Sequence, residues 1–367
     1  MANLVSPGVQ VKEIDLTNVV PAVSSTIGAM AGSFQWGPVD EVTTVTSETE
    51  LVEEFGKPSA ETFESVLTAA QFLSYGNSLK VARAVGASAL NATASGTGIL
   101  TKNKTIFDSQ TPAAGDWAQA RCPGVTGNAV GIAYATDATS FDGSAWWTSH
   151  VESAPGTSAG AAAVGGSNDE IHILVYDSNG TITGTANSIL EHWTYLSQAS
   201  DVKSSDGSTL YYKDVINAGS KWVFVGNHPA TLTDAGESAT SNAFTRVAHA
   251  FNEFSGGVDD NVLSVGETTT ALAQFSDAET IDVNLVFQSN SSLSAADNIT
   301  LSNYITALTT ARKDAVGFVS PERAATVNAG APATTVAAWR TGLTSTSYGF
   351  ADSSSLYVYD KYNDVYR

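Results

Sequence analysis

Two separate stretches of this chain alternate strand-like and helix-like patterns, and that rhythm restricts the fold more than any other feature. In the first, Thr26 to Trp36 is a run of small and apolar residues, a strand that other elements can approach closely. Val42 to Val45 is a short strand. Ser47 with Glu50 three residues on is a capping box, and the helix it opens carries Leu51, Val52 and Phe55 before Gly56 and Pro58 stop it. A second helix over 61–74 puts Phe63, Val66, Leu67, Ala70 and Leu73 on one face. After Gly76-Asn77 comes the strand Leu79 to Val85. In the second stretch, Glu267 to Phe275 reads as a helix and Val283 to Phe287 as a buried strand. Ala295 to Arg312 is a long helix with Ile299, Tyr304, Ile305 and Leu308 as apolar positions, and Ala315 to Val319 is another buried strand. Strands alternating with helices predict a mostly parallel sheet.

The residues between these stretches differ in character. Gly86 to about Gly115 is rich in Ala, Ser, Thr, Gly and Asn, reads as loop and marks a domain boundary. Pro123 to Tyr134 is a glycine-punctuated turn feeding a strand. Residues 152–168 are of low complexity and read as a surface loop. Ile171 to Tyr176 and Thr181 to Gly184 flank Asn179-Gly180, which predicts a hairpin. Glu191 to Ser197, Tyr211 to Asn217 and Lys221 to Val225 are further short elements, and Ser255-Gly256-Gly257 closes the region.

Near the amino end, Val9, Gln10, Val11, Lys12, Glu13 and Ile14 follow the turn-former Ser6-Pro7-Gly8. Val9 and Val11 point one way and Gln10 and Lys12 the other, the alternation of a half-buried strand. It has no hairpin partner beside it, so it is expected to pair at long range or with another chain.

Composition narrows the function. The 367 residues include 17 Lys+Arg against 37 Asp+Glu, a net charge of −20, and only short basic spots such as Lys102/Lys104 and Arg312-Lys313, which argues against direct binding of nucleic acid or anionic membrane. Charged residues make up only 15% and hydrophobic ones 43%, a composition suited to surfaces that pack on other surfaces. The acidity serves solubility or discourages premature self-association. One cysteine, Cys122, excludes an intrachain disulfide or a cysteine-based metal site. No apolar run approaches the roughly 20 residues of a membrane span, and the amino end lacks the pattern of a signal peptide.

No catalytic, cofactor or metal constellation emerges. His150, His172, His192, His228 and His249 lack metal-ligand spacing, and His172 inside a strand reads as structural. Asp259-Asp260 reads as a solvated acidic turn, and Pro123 to Asn128 lacks the Lys-Ser/Thr of a phosphate loop. No Gly-x-Ser-x-Gly elbow is present, and Cys122 has no evident base. The aromatics Trp146, Trp147, Tyr348, Tyr357, Tyr359, Tyr362 and Tyr366 fit a carbohydrate or partner surface, or packing.

Ser6 to Ile14, Phe34 to Pro38, Glu50 to Gly56 and Phe72 to Val85 resemble corresponding stretches of tail sheath proteins from contractile-tailed phages, with the T-even-like branch the most similar. So do Pro123 to Asn128, Ile173 to Gly180, Asp282 to Leu285, Ala311 to Pro321 and Tyr359 to Arg367, in the same order. The resemblance implies an α/β multidomain fold. An arm over 1–20 precedes an α/β sheath core, subtilisin-like in shape, formed discontinuously by 21–87 and 257–367. A β-rich protruding domain is inserted at 88–256. Residues 86–118 look too short for the extra barrel of the T-even branch, and the end at Arg367 reads as a truncation before a further domain. The implied protein is a mechanical virion component, not an enzyme, assembled in the host cytoplasm. Its partners would be copies of itself in stacked hexameric rings, the tail tube protein, and baseplate and tail terminator proteins, with the truncated chain monomeric. The resemblance assigns inter-subunit strand exchange to Val9, Gln10, Val11, Lys12, Glu13 and Ile14. A surface adhesion module or a hydrolase are the alternatives; the first lacks a visible export route and the second a Ser/His/Asp motif.

Overall fold

The structure, a computed structural model, describes residues 26–110, 116–289 and 293–367. It is organised by a six-stranded sheet in the order Gly349–Ala351, Val316–Val319, Leu285–Phe287, Gly28–Ser33, Leu79–Ala84, Val42–Val45. Neighbours are parallel except the last pair, where Val42–Val45 runs antiparallel to Leu79–Ala84. The two stretches with strand–helix rhythm therefore build one sheet. From Leu285–Phe287 the chain steps outward to Val316–Val319 and Gly349–Ala351, whereas from Gly28–Ser33 it goes the other way to the edge strand Val42–Val45 and returns to Leu79–Ala84 between them. Open α/β sheets leave a crevice at the carboxyl ends of the strands where the order reverses.

The period of two along Gly28–Ser33 decides what covers each face. Met30 packs with Leu51, Phe55, Val66 and Val81, beneath helices Glu48–Phe55 and Phe63–Leu73. Ala29 and Ala31 pack with Leu272, Leu301 and Ile305, beneath helices Val265–Leu272 and Ala295–Arg312. Gly32 lets helix Phe63–Leu73 sit close. A Cβ there would lie 2.4 Å from Ser65 Oγ and 2.7 Å from Ser289 Oγ. The first capping box is displaced by one residue: Ser47 Oγ accepts from Glu50 N, but the Glu50 carboxylate accepts from Thr46 N and Oγ1, both at 2.7 Å. A complete box stands at Ser264 and Glu267.

A second, antiparallel sheet has the order Ser188–Ser197, Glu170–Asp177, Val130–Ala135, Ala250–Glu253. Its two central strands are buried on both sides, which accounts for the nearly unbroken apolar run Ile171 to Tyr176. On one side Ile132, Ile173 and Val175 meet Trp117, Tyr212 and Val223. On the other, Ala133, Leu174 and Tyr176 meet Phe141 and Trp147. The segments entering and leaving this region run side by side, bridged antiparallel at Leu90–Val258 and Thr93–Ser255.

Three local expectations are corrected. The hairpin's return strand is Ser188–Ser197, not Thr181 to Gly184. The fully buried Asp177 carboxylate accepts from Gly180 N (2.9 Å), Ile182 N (3.0 Å), Thr183 N (2.7 Å) and Thr183 Oγ1 (2.9 Å), which holds residues 180–183 in a compact turn. The loop after Gly86 contains helix Lys104–Ser109, started by Asn103 Oδ1 accepting from Ile106 N at 3.1 Å. The low-complexity stretch contains helix Ala159–Ala163, pinned by the buried Asp169, whose carboxylate accepts from Ser158 N, Ser158 Oγ and Ser197 Oγ at 2.6–2.8 Å.

Candidate assembly surface

A cavity of about 600 Å³ lies at the carboxyl ends of strands Leu285–Phe287, Val316–Val319 and Gly349–Ala351, to one side of the reversal point. It opens among Ser289, Ser320 and Ser353, which follow the strands' carboxyl ends, and runs along the flank of helix Phe63–Leu73 past Phe63 and Leu67. Its outer wall is the chain's last segment, Leu356, Tyr357 and Arg367. None of the five histidines lines it.

The outer wall is rigidly mounted. Tyr359–Asp360 and Val365–Tyr366 form a two-stranded hairpin, extended by paired backbone hydrogen bonds between Val358 and Arg367 at 2.9 Å. Asp360 is fully buried, and its carboxylate accepts from Tyr362 N (3.0 Å), Asn363 Nδ2 (2.8 Å) and Arg367 Nε (3.0 Å). Lys361 Nζ lies 2.8 Å from Glu48, Tyr362 Oη donates to Glu48 and Asn363 Nδ2 donates to the Pro58 carbonyl. The Arg367 guanidinium lies 4.8 Å over the Phe63 ring. These contacts turn apolar groups outward: Leu356 and Tyr357 are each 78% exposed and Tyr366 61%. Tyr366 stacks on Tyr357 at 5.5 Å and lies 5.1 Å from Tyr359. An exposed aromatic cluster beside a cavity is the signature of a surface that meets another protein. The sequence marks these tyrosines only as a carbohydrate or partner surface, or as packing, because alternation along Tyr357-Val358-Tyr359 does not say which side is covered.

The residues singled out for chemistry are dispersed. Val9, Gln10, Val11, Lys12, Glu13 and Ile14 lie outside the described residues. His172 is buried in its strand, with Nε2 3.0 Å from the Ser153 carbonyl and Nδ1 accepting from Tyr195 N at 3.0 Å, a structural histidine as expected. Asp259 accepts from Val125 N at 2.8 Å and Asp260 from Ser88 N at 3.0 Å, so both tie loops together. Asn128, in the glycine-punctuated turn, exchanges two hydrogen bonds with Gly257. Cys122 is buried, and burial pushes its thiol up to about 11 against the opposing pull of Arg83. Among the described residues, no group of three or more His, Cys, Asp or Glu is arranged to hold a metal, and no helix is long and apolar enough to cross a membrane.

His228 makes the fold acid-sensitive. It sits 2.6 Å from Tyr212 Oη and 3.4 Å from Tyr211 Oη, and burial, aided by Lys213, pulls its imidazole down to about 4. Burial lowers His172 as well. The unfolded chain therefore takes up these protons first, and stability declines as pH falls from about 6.5 toward 4. Thermal melts across that window should show the decline, with a shallower slope for His228→Gln.

A profile of the tail sheath protein Gp18 domain III N-terminal region matches residues 25–84, the segment that supplies Gly28–Ser33, Val42–Val45 and Leu79–Ala84. The tail sheath protein of Salmonella phage ViI is 29% identical over 99% of this chain and 68% of its own length. Along nearly its whole length the chain is similar to a phage tail sheath protein. Shorter matches to tail sheath proteins reach 46% identity over 22% of the chain for Enterobacteria phage T4 and 45% over 24% for Vibrio phage KVP40, covering 12% and 14% of those proteins. Among solved structures, a sheath tail protein of Listeria innocua aligns with a TM-score of 0.44 at 14% identity, over 81% of this chain and 48% of that one. One from Desulfitobacterium hafniense aligns at 0.40 and 12%, over 86% and 52%. The chain thus spans about half the length of these solved sheath tail proteins.

Proposed function

We propose that this chain is a structural subunit of a contractile phage tail sheath, acting by polymerisation and rearrangement rather than catalysis. The observation that carries the reading is the similarity to the ViI tail sheath protein along almost the whole chain. Subunits stack as hexameric rings around a tail tube, between baseplate and terminator proteins. Contraction then moves them as bodies between two packings and drives the tube through the host envelope. Residues 21–87 and 257–367 form the core, subtilisin-like in shape, and 88–256 a protruding β-rich insertion. The side-by-side bridges at Leu90–Val258 and Thr93–Ser255 support that division, since an insertion must leave and return at one place. Val9 to Ile14 supplies a strand to a neighbour. Assembly takes place in the host cytoplasm and the product is carried in the virion. At low concentration the −20 charge keeps the chain monomeric.

Mass spectrometry of purified virions tests the reading: the chain's peptides should rank among the most abundant, enriched in detached tails. Their absence from tails contradicts it. Deleting residues 1–18 should abolish ordered sheath assembly while leaving the body folded; normal sheaths would remove the strand-exchange role.

A further inference from the structure

The body carries an exposed aromatic knob as well as a cavity. Tyr75 is 95% exposed, the most exposed large hydrophobic residue described. It stands just past the end of helix Phe63–Leu73, where Tyr75 N and Gly76 N both donate to the Phe72 carbonyl (3.0 and 2.8 Å). The loop leads directly into strand Leu79–Ala84, so Tyr75 marks the amino ends of the parallel strands. The cavity opens at their carboxyl ends. Knob and cavity are therefore separated along the strand direction within one body.

We propose that Tyr75 of one copy docks into the cavity walled by Leu356 and Tyr357 of the next. The inference rests on the reading of the chain as a self-assembling subunit and names a contact through which copies join. Charge favours this pairing. The loop before strand Leu285–Phe287, also at the amino ends, exposes Asp277, Glu279 and Asp282. That loop is fixed by the buried Arg312, which donates to the carbonyls of Phe275 (2.5 Å), Asp277 (3.2 Å) and Ile281 (2.7 Å). The cavity end offers Arg323, half-exposed and only 3.9 Å from its partner Glu64, together with Arg367. Among the residues that line the cavity the charged ones are Arg323 and Arg367 against one acid, Glu64. The acidic loop of a second copy thus meets two guanidinium groups against one carboxylate at this cavity. Because knob and cavity are different patches at opposite ends, the contact is head-to-tail, and such contacts propagate into open helical polymers rather than closed dimers.

Sedimentation velocity over a broad concentration range tests the pairing with three proteins: the chain itself, Tyr75→Ser, and Leu356→Asp. Both substituted side chains are exposed, and matching thermal melts confirm that all three fold. The unaltered chain should form a concentration-dependent series beyond dimer, while each variant alone associates at least tenfold more weakly. An equimolar mixture of the variants, one keeping only the cavity and the other only the knob, should stop at dimer. Association of Tyr75→Ser equal to the unaltered chain, or monomer throughout for the unaltered chain, overturns the proposal. If the mixture behaves as expected but the peptides are absent from virion tails, the contact stands and the sheath reading falls.

Discussion

Substituting methionine for Arg83 lowers the free energy of unfolding by about 3–5 kcal/mol. The guanidinium is 1% exposed and, among the described residues, has no ion-pair partner; it donates instead to four backbone carbonyls. These belong to Phe34 (2.9 Å), Gln35 (3.3 Å), Gly37 (2.9 Å) and Pro123 (2.9 Å). Burial pulls its pKa down to about 10, which still leaves it charged at neutral pH. The carbonyls belong to the turn after strand Gly28–Ser33 and to the start of the turn before strand Val130–Ala135, so one side chain joins the two sheets. Methionine fills much of the space but leaves the four acceptors without their donor. Lysine keeps the charge and loses the fork, and should recover less than half of the deficit. Denaturant melts give the energies. Thiol labelling reports the location: Cys122, 2% exposed beside this junction, should react faster in Arg83→Met while the strands of both sheets stay protected. A change below about 1 kcal/mol would show that the carbonyls find water instead.

Trp147→Ala should cost about 3–5 kcal/mol, concentrated in one half of the molecule. Trp147 is fully buried against Phe141 and Trp146, at 6.0 and 5.2 Å. Its indole Nε1 has no hydrogen-bond partner. Trp147→Phe keeps most of the packing and removes the unpaired donor, so it should cost much less. The core around Trp147 is separate from the two cores beneath the six-stranded sheet. Hydrogen exchange should therefore quicken in Val130–Ala135 and Glu170–Asp177 of Trp147→Ala and stay unchanged in Gly28–Ser33 and Leu79–Ala84. Equal loss of protection in both sheets would remove the support for 88–256 as a domain of its own.

What was legible in the sequence was mostly local. Helix Ala295–Arg312 appears with the predicted ends, because Ser294 Oγ accepts from Asp297 N and the chain turns left-handed at Lys313. The parallel sheet followed from the strand–helix rhythm. Helix Lys104–Ser109 was hidden because six residues with one cap are too short for a period to show. The false strand at Thr181 to Gly184 has the opposite cause: its pattern was adequate, and one buried carboxylate, Asp177, overrode it. The assembly surface was half legible. The tyrosines could be listed, but their exposure depends on Asp360 and Glu48, far apart in sequence, holding the hairpin with its rings outward. Tyr75 falls between the predicted helix end at 74 and Gly76, and nothing local says that it is 95% exposed.

Immunoelectron microscopy of intact and contracted virions is the most direct measurement. Antibodies against residues 88–256, for example against a peptide spanning 152–168, should decorate the tail along its whole length. Label spacing should shorten on contraction. Label confined to the capsid, baseplate or fibres, or absent from virions, would contradict a sheath subunit.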